Sequence, residues 1–159
     1  MKEKTKFGNG LVTLTLMSPN EFKVLPNPTS VHCFPVEKNK VLFTINPRGI
    51  DIIGGHVEPG EDATQALMRE AKEEASIELI DYELVGIIEV DNSENPEAIK
   101  KGYPLKGYQF FYEVTKFLML PFEETHECTG RMFVSKNEVS EKHHNWLKVH
   151  DAILEILAI

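Results

Sequence analysis

The sequence predicts an α/β fold with a mixed β-sheet. Short segments rich in β-branched and other apolar residues lie on both sides of one central helical segment, and a second, amphipathic helix closes the chain. This order of strands and helices is typical of a mixed sheet packed against helices. With 159 residues, the chain is long enough for one sizeable core, so we expect a single domain over residues 1–159.

The strand-like segments are separated by clusters of Pro, Asn and Gly, which are typical of turns. Before the central helix they are Leu11–Met17, Ser30–Val36, Lys40–Ile45 and the run IDII. After it they are Glu83–Val90, Tyr108–Leu118 and the run RMFV, and the polar segment DNSENPEAIKKGYPLKG is predicted to be a loop. The central helix is predicted from Asp62, as N-cap, to Ser76, and the last helix from about Asn145.

Composition and charge argue against several classes of function. The formal net charge is −8 and no basic stripe offsets it, so general nucleic-acid binding is not expected. Cys33 and Cys128 lie far apart and form no CxxC pair, which indicates buried or idle thiols of a reducing cytosol rather than a disulfide framework or a zinc site. No segment approaches the roughly 18 apolar residues of a membrane span. We therefore expect a cytoplasmic protein.

The central helix concentrates three carboxylates, Glu70, Glu73 and Glu74. At about 100° per residue they share one face beside an apolar stripe formed by Leu67, Met68, Ala71 and Ala75. When partly desolvated, each pair of like charges at this spacing costs about 3 kcal/mol. A divalent cation removes that cost, and Mg²⁺ prefers a few carboxylates together with substrate phosphates. For the motif EAKEE alone, the alternative is a solvated acidic face balanced by Arg69 and Lys72.

The wider stretch GGHVEPGEDATQALMREAKEEASI, which begins at Gly54, resembles the Nudix box, G-x5-E-x7-R-E-U-x-E-E-x-G-U, where U is a bulky aliphatic residue. Every spacing is kept by the matching residues Gly55, Glu61, Arg69, Glu70, Ala71, Glu73, Glu74 and Ile77. Ala71 is small for position U, and Ser76 stands where the pattern has its last glycine. That glycine suits a left-handed helix end, and serine replaces it either at a cost of roughly 1 kcal/mol or by shifting the helix end.

The resemblance implies an α/β/α sandwich and a hydrolase that cleaves a diphosphate bond in a nucleoside diphosphate derivative or a nucleoside triphosphate, with Mg²⁺ or Mn²⁺ as cofactor. Carried over by position, the metal ligands are the carboxylates of Glu70 and Glu74 and the carbonyl of Gly54. Glu73 would bind a second metal or orient water. By the same resemblance, Glu61 and Arg69 would pair, and so hold Glu70 in place.

Residues outside the box complete the predicted site. In parts of the family another glutamate acts as base or ligand, and Glu127 is the first candidate and Glu124 the second, the alternative being an exposed loop acid. Lys101 and Tyr103 lie in a loop that interleaves cations and aromatic rings, which could grip phosphate and stack a base, or be merely solvated. Arg48 is a candidate for phosphate contact or an idle turn residue.

Two rival functions stay open from the sequence. One is a non-catalytic Nudix domain that senses a nucleotide, against which the three intact carboxylates count, because pure binding needs no activated water. The other is an isomerase on the same fold, which would need a catalytic cysteine in the pocket. The partner we expect is a small phosphorylated molecule. His143 and His144 are expected to be a solvated pair, and the oligomeric state is open.

Overall fold

A mixed β-sheet organises the chain in a computed structural model that describes residues 1–125 and 127–159. Its strands are β1 (Lys2–Phe7), β2 (Gly10–Met17), β3 (Ser30–Glu37), β4 (Lys40–Asn46), β5 (Gly49–Asp51), β6 (Ile53–His56), β7 (Ile77–Asp91), β8 (Lys106–Met119) and β9 (Gly130–Val134). The main path runs β1-β2-β7-β8-β3-β4-β5, with β6 paired to β3 and β9 paired to β4. Strands β3 and β8 are parallel, whereas their neighbours pair antiparallel.

The helices are α1 (Ala63–Ala75), α2 (Pro96–Lys100), α3 (Val139–Lys142) and α4 (Lys148–Ile156), with 3₁₀ turns at Pro19–Glu21 and Lys136–Glu138. Both sheet faces are covered, because side chains alternate along each strand. On one face Val31 and Cys33 of β3 pack with α1, and on the other Phe34 packs with α4. The predicted α/β/α sandwich with a mixed sheet is confirmed. None of the described helices has the length and apolar content needed to cross a bilayer.

Helix α1 begins and ends as its sequence predicts. The Asp62 carboxylate accepts a hydrogen bond from the Gln65 amide at 2.8 Å, and the Gln65 side chain accepts one from the Asp62 amide at 2.9 Å. This reciprocal capping box satisfies two helix-end donors. At the other end Ser76 has φ 53° and ψ 48°, the left-handed conformation that terminates helices. Glu70 to Glu74 are thereby held on a helix of fixed length.

Several elements differ from the sequence-based prediction. Strand β1 was not predicted because KEKTKF lacks an apolar face; it is an edge strand paired only with β2 among the described residues, and lysines are common at such edges. Strand β7 begins at Ile77 rather than Glu83, directly after α1. The predicted loop contains α2, capped by the Asn95 side chain, which accepts from the Ala98 amide at 3.2 Å. The last helix begins at Lys148 rather than Asn145.

Candidate active site

The guanidinium of Arg69 organises the acidic face of α1. It donates to both carboxylate oxygens of Glu61, at 2.7 and 2.9 Å, and to Glu70 at 2.9 Å. It also reaches Glu73 at 3.2 Å and the backbone carbonyl of His56 at 3.0 Å. These hydrogen bonds hold the pKa of the Glu61 carboxyl below its usual range. The structure thus brings Glu61, Arg69 and Glu70 together, in the pairing that the resemblance to the Nudix box implies.

Glu70 is buried at the foot of the glycine pair, with 9% of its surface exposed. Burial raises the pKa of its carboxyl, and the Arg69 hydrogen bond opposes that shift. A Cβ atom at Gly55 would collide with the Glu70 carboxylate, so a glycine is required there for close approach. At Gly54, where φ is +152°, a Cβ atom would collide with the carbonyl oxygen of Val31. Both glycines therefore allow the loop to lie directly over the helix.

Glu74 is half-buried and receives a hydrogen bond from the Gly54 amide at 3.2 Å. Burial, followed by the negative charges of Glu70, Asp51 and Glu127, raises the pKa of its carboxyl to about 8 despite that hydrogen bond. Arg69, which contacts the other helix carboxylates, makes no ion pair with Glu74 among the described residues. The charged form of the Glu74 carboxylate is therefore not neutralised by a cationic side chain among the described residues.

Glu73 and Glu127 lie at the rim of the same acidic surface. The Glu73 side chain is 59% exposed, and Glu127 is exposed on the loop between β8 and β9. A shallow cavity is lined by Glu70, Glu73, Glu74, Thr125, Glu127 and Cys128. Glu124, the second candidate for the extra glutamate, is exposed and does not line this cavity. The geometry therefore favours Glu127 over Glu124 as the additional glutamate of the site.

The acidic cluster fits a divalent cation. Within residues 1–125 and 127–159, no three His, Cys, Asp or Glu side chains converge as a finished metal site. The available donors are nevertheless hard carboxylate oxygens, the type that Mg²⁺ and Mn²⁺ prefer. Glu74 makes no ion pair among the described residues, and burial raises the pKa of its carboxyl. A cation at this position would compensate the charge of that carboxyl.

A second cavity, of about 360 Å³, continues from Glu74 and Glu127 into the fold. Its other lining residues include Asp51, Gln109, His32, His143, His144 and His150. The sequence did not predict this histidine cluster, because its members come from β3, α4 and the segment before α4 and show no shared spacing. Burial lowers the pKa of both His32 and His150 to about 4, so these two imidazoles are neutral at pH 7.

The prediction that His143 and His144 form a solvated pair is wrong for His143. Its side chain is 7% exposed, and Nε2 lies 3.1 Å from a carboxylate oxygen of Asp51. Its Nδ1 accepts a hydrogen bond from the Asn145 amide at 3.1 Å, which identifies Nε2 as the donor towards Asp51. The cause is tertiary: the segment pairs with β5 through an isolated bridge from His143 to Ile50. His144 is exposed and stacks on His143.

A third, mostly apolar cavity of about 290 Å³ adjoins the histidine cavity and shares Gln109, Asn145 and His150 with it. Its apolar walls include Phe7, Val12, Leu14, Val90, Pro104 and Leu147. Tyr103, a predicted substrate-binding residue, also lines it and meets the Phe7 ring edge to face at 6.3 Å. The acidic cavity, the histidine cavity and the apolar cavity therefore adjoin one another, and together we call them the cleft.

The two predicted cationic contacts lie outside that cleft. Lys101 lines a shallow depression with Tyr103, and its ammonium group is 2.9 Å from the Glu97 carboxylate. Arg48 is 60% exposed and lies 3.8 Å from Asp51, and it lines none of the cavities described above. The ion pair with Glu97 leaves Lys101 less free to bind phosphate. The roles of Arg48 and Lys101 stay predictions.

Comparison with known proteins decides the family. The model for the NUDIX domain matches residues 26–158, which is most of the chain. The chain belongs to the Nudix family. Among solved structures, a mutant of the pyrophosphohydrolase BsRppH of Bacillus subtilis superposes with a TM-score of 0.66 at 20% identity, over 96% of this chain and 94% of that one. A MutT protein from Bacillus halodurans gives 0.61 at 22% identity, over 79% and 78%.

A Nudix hydrolase from Nitrosomonas europaea has a TM-score of 0.60 at 24% identity, over 82% of this Nudix chain and 87% of that protein. Among curated proteins, no significant sequence match was found. At these identities the structural likeness establishes the shared fold. The substrate has to be inferred from the cleft itself.

In this Nudix chain without metal, the contribution of Glu74 to stability should fall as pH rises from about 4.5 to about 8. The unfolded chain loses the Glu74 proton near its ordinary pKa of 4.5, whereas the folded chain keeps it up to about 8. The Glu74 contribution to the free energy of unfolding should therefore decline by at most about 1.4 kcal/mol per pH unit within that window. Glu74→Gln should remove this contribution, as measured by the difference in thermal unfolding between the variant and the wild type across this pH range in EDTA.

The matched control is Glu73→Gln on the same helix, which alters an exposed carboxylate at the rim. It should leave the pH dependence of the melting temperature close to that of the wild type. An unchanged slope in the Glu74 variant would mean that Glu74 is charged throughout and needs no cation.

Proposed function

We propose that this protein is a metal-dependent hydrolase that cleaves a diphosphate bond in a nucleoside diphosphate derivative or a nucleoside triphosphate. The main supporting observation is the half-buried Glu74 carboxyl, which has no cationic partner among the described residues and lies at one end of the cleft. That cleft leads to an apolar cavity of about 290 Å³, near the lower end of the range for small-ligand sites. We also infer a single Nudix domain.

The residues that would hold Mg²⁺ or Mn²⁺ are Glu70, Glu74 and the carbonyl of Gly54, with Glu73 as a rim ligand or water-orienting group. When bound, such a cation neutralises the diphosphate and lowers the pKa of water. Arg69 fixes the Glu70 carboxylate and is itself held by Glu61 at 2.7 Å. This preorganisation stabilises developing charge without rearrangement during the reaction.

The cleft supports a nucleotide-type substrate. Phosphates would lie beside the acidic cluster, and the nucleoside would extend past the neutral imidazoles of His32 and His150 towards the apolar cavity. Near that cavity the Tyr103 ring provides a face for contact with a planar base. Neutral imidazoles suit hydroxyl groups because each can both donate and accept a hydrogen bond.

The isomerase alternative receives little support from the thiols. Cys33 is fully buried in β3, and Cys128 lines the acidic cavity but is 5% exposed. Burial raises the pKa of both thiols, and the negative charge of the nearby Glu74 raises both pKa values further. A protonated thiol is a poor nucleophile or base.

A panel of nucleoside diphosphate derivatives and nucleoside triphosphates, incubated with the protein and Mg²⁺, tests the proposal through product analysis. We expect metal-dependent release of a nucleoside monophosphate from at least one compound. Saturable binding without products on the whole panel would indicate a nucleotide-sensing domain, and a rearranged product of unchanged mass would indicate an isomerase.

Glu127→Gln should lower kcat about a hundredfold, with little change in the Mg²⁺ concentration that gives half-maximal rate. A base acts on the water rather than holding the ion, and general-base catalysis contributes about 10² or more. Initial-rate kinetics over a Mg²⁺ series measure both quantities. Glu70→Gln should change both kcat and the Mg²⁺ concentration that gives half-maximal rate.

The matched control is Glu124→Gln, three residues away on the same loop and outside the acidic cavity. It should retain the wild-type rate. Loss of rate in the Glu124 variant alone would transfer the role to Glu124. Wild-type rates in both variants would assign the base to the box, with Glu73 the first candidate.

A further inference from the structure

The loop between β8 and β9 brings Glu127 to the acidic cluster. Hydrogen bonds attach the first half of this loop to the end of α1. The Ser76 hydroxyl accepts a hydrogen bond from the Glu123 amide at 3.0 Å. The Ser76 carbonyl accepts one from the Leu120 amide at 2.9 Å. The residue that replaces the last glycine of the box is therefore bonded to this loop through both its backbone and its side chain.

Arg131 on β9 strengthens the same junction. One guanidinium nitrogen donates to the carbonyls of Ala75 at 2.7 Å and Ser76 at 3.0 Å, and another donates to the carbonyl of Leu120 at 2.5 Å. The guanidinium also lies 5.6 Å from the centre of the Phe122 ring. A positive charge at the C-terminal end of a helix interacts favourably with its dipole. Arg131 thus joins the helix end to the start of the loop.

The second half of the loop makes a separate set of hydrogen bonds through Thr125, Cys128 and Thr129. The Thr125 amide donates to the Cys128 carbonyl at 3.1 Å, and the Cys128 amide donates to the Thr125 hydroxyl at 3.2 Å. The Thr129 amide donates to the carbonyl of Ile45 on β4 at 2.9 Å. Glu127 therefore lies between two anchored parts of the loop.

We propose that Ser76 and Arg131 are positioning residues that fix Glu127 relative to the carboxylates of α1. The inference rests on the proposed function, because it gives Glu127 a part in hydrolysis. Glycine at position 76 would adopt φ 53° without strain but could not accept the Glu123 hydrogen bond. Serine is disfavoured in this left-handed conformation. The hydrogen bond between its hydroxyl and the Glu123 amide would explain why serine is nevertheless present.

Ser76→Gly and Ser76→Ala separate positioning from stability. Both remove the hydroxyl, but glycine relieves the left-handed strain whereas alanine retains it. We expect kcat to fall about fivefold in both variants with KM unchanged, because one orienting hydrogen bond is lost. The melting temperature should be higher in the glycine variant than in the alanine variant. A purely structural role would instead make kcat follow the melting temperature.

Two further measurements complete the test. Amide hydrogen exchange at Glu123 should accelerate in both variants, and this readout does not depend on catalysis. In a Glu127→Gln background, Ser76→Gly should cause no further loss of kcat. Ser135→Ala serves as the control, because the Ser135 side chain makes no capping hydrogen bond, and it should change none of these quantities.

A Ser76→Gly variant with wild-type kcat, or a fivefold loss that persists in the Glu127→Gln background, would overturn the inference. Unchanged Glu123 exchange in both variants would also overturn it. Absence of hydrolysis by the wild type would instead refute the proposed function, and the exchange measurement alone would then decide whether Ser76 holds the loop.

Discussion

Replacing Glu74 with Gln should reduce turnover by about a hundredfold or more while the protein stays folded, as expected when a charge that acts in the transition state is removed. The amide keeps the shape of the side chain but cannot supply the anionic oxygen that the cation needs. Because the charged Glu74 carboxylate is poorly compensated in the metal-free protein, the variant should melt no lower than the wild type in EDTA at pH 8.

The control for Glu74 is Glu78→Gln, an exposed carboxylate just beyond α1 that lines none of the cavities described above. It should keep the wild-type rate and melting temperature. If the Glu74 variant stayed active but melted much lower, the carboxylate would be a structural group and the site assignment would be wrong.

Replacing Arg69 with Met should destabilise the metal-free protein by about 2 kcal/mol and lower its melting temperature by about 5 °C. The change leaves Glu61, Glu70 and Glu73 without their shared guanidinium, and Glu70 is buried. Added Mg²⁺ should restore part of the stability, because a cation replaces some of the lost positive charge. Thermal unfolding with and without Mg²⁺ measures both effects.

Lys72→Met removes the same charge from the same helix at an exposed position with no ion pair among the described residues. It should change the melting temperature by less than about 2 °C, within the range of ordinary surface substitutions. Equal losses in the two variants would mean that net charge, rather than the Arg69 network, stabilises the acidic face.

The helix that carries the site could be predicted because its signals are local. Asp62 and Gln65 cap its start, the spacing of Glu70, Glu73 and Glu74 defines its acidic face, and Ser76 ends it in the left-handed conformation, one of the two alternatives that the sequence left open. Each of these features depends on residues within a few positions of one another, so periodicity and cap chemistry are sufficient to predict them.

The histidine cavity could not be predicted because tertiary packing creates it. His32 and His150 lie far apart in the sequence, and neither has neighbours along the chain that mark it as part of a site. His143 becomes buried only because its segment pairs with β5 and meets Asp51. No spacing rule along one chain connects such residues. The tie from Ser76 to Glu123 was missed for the same reason.

Binding of Mn²⁺, followed by electron paramagnetic resonance in the absence of substrate, tests most directly whether a cation completes the acidic cluster. The wild type should bind Mn²⁺, whereas Glu70→Gln and Glu74→Gln should each weaken binding at least about tenfold, in line with the loss of a charged ligand. Glu78→Gln should bind as the wild type does. Equal Mn²⁺ affinity in all four proteins would contradict the assignment of this cluster as the metal site.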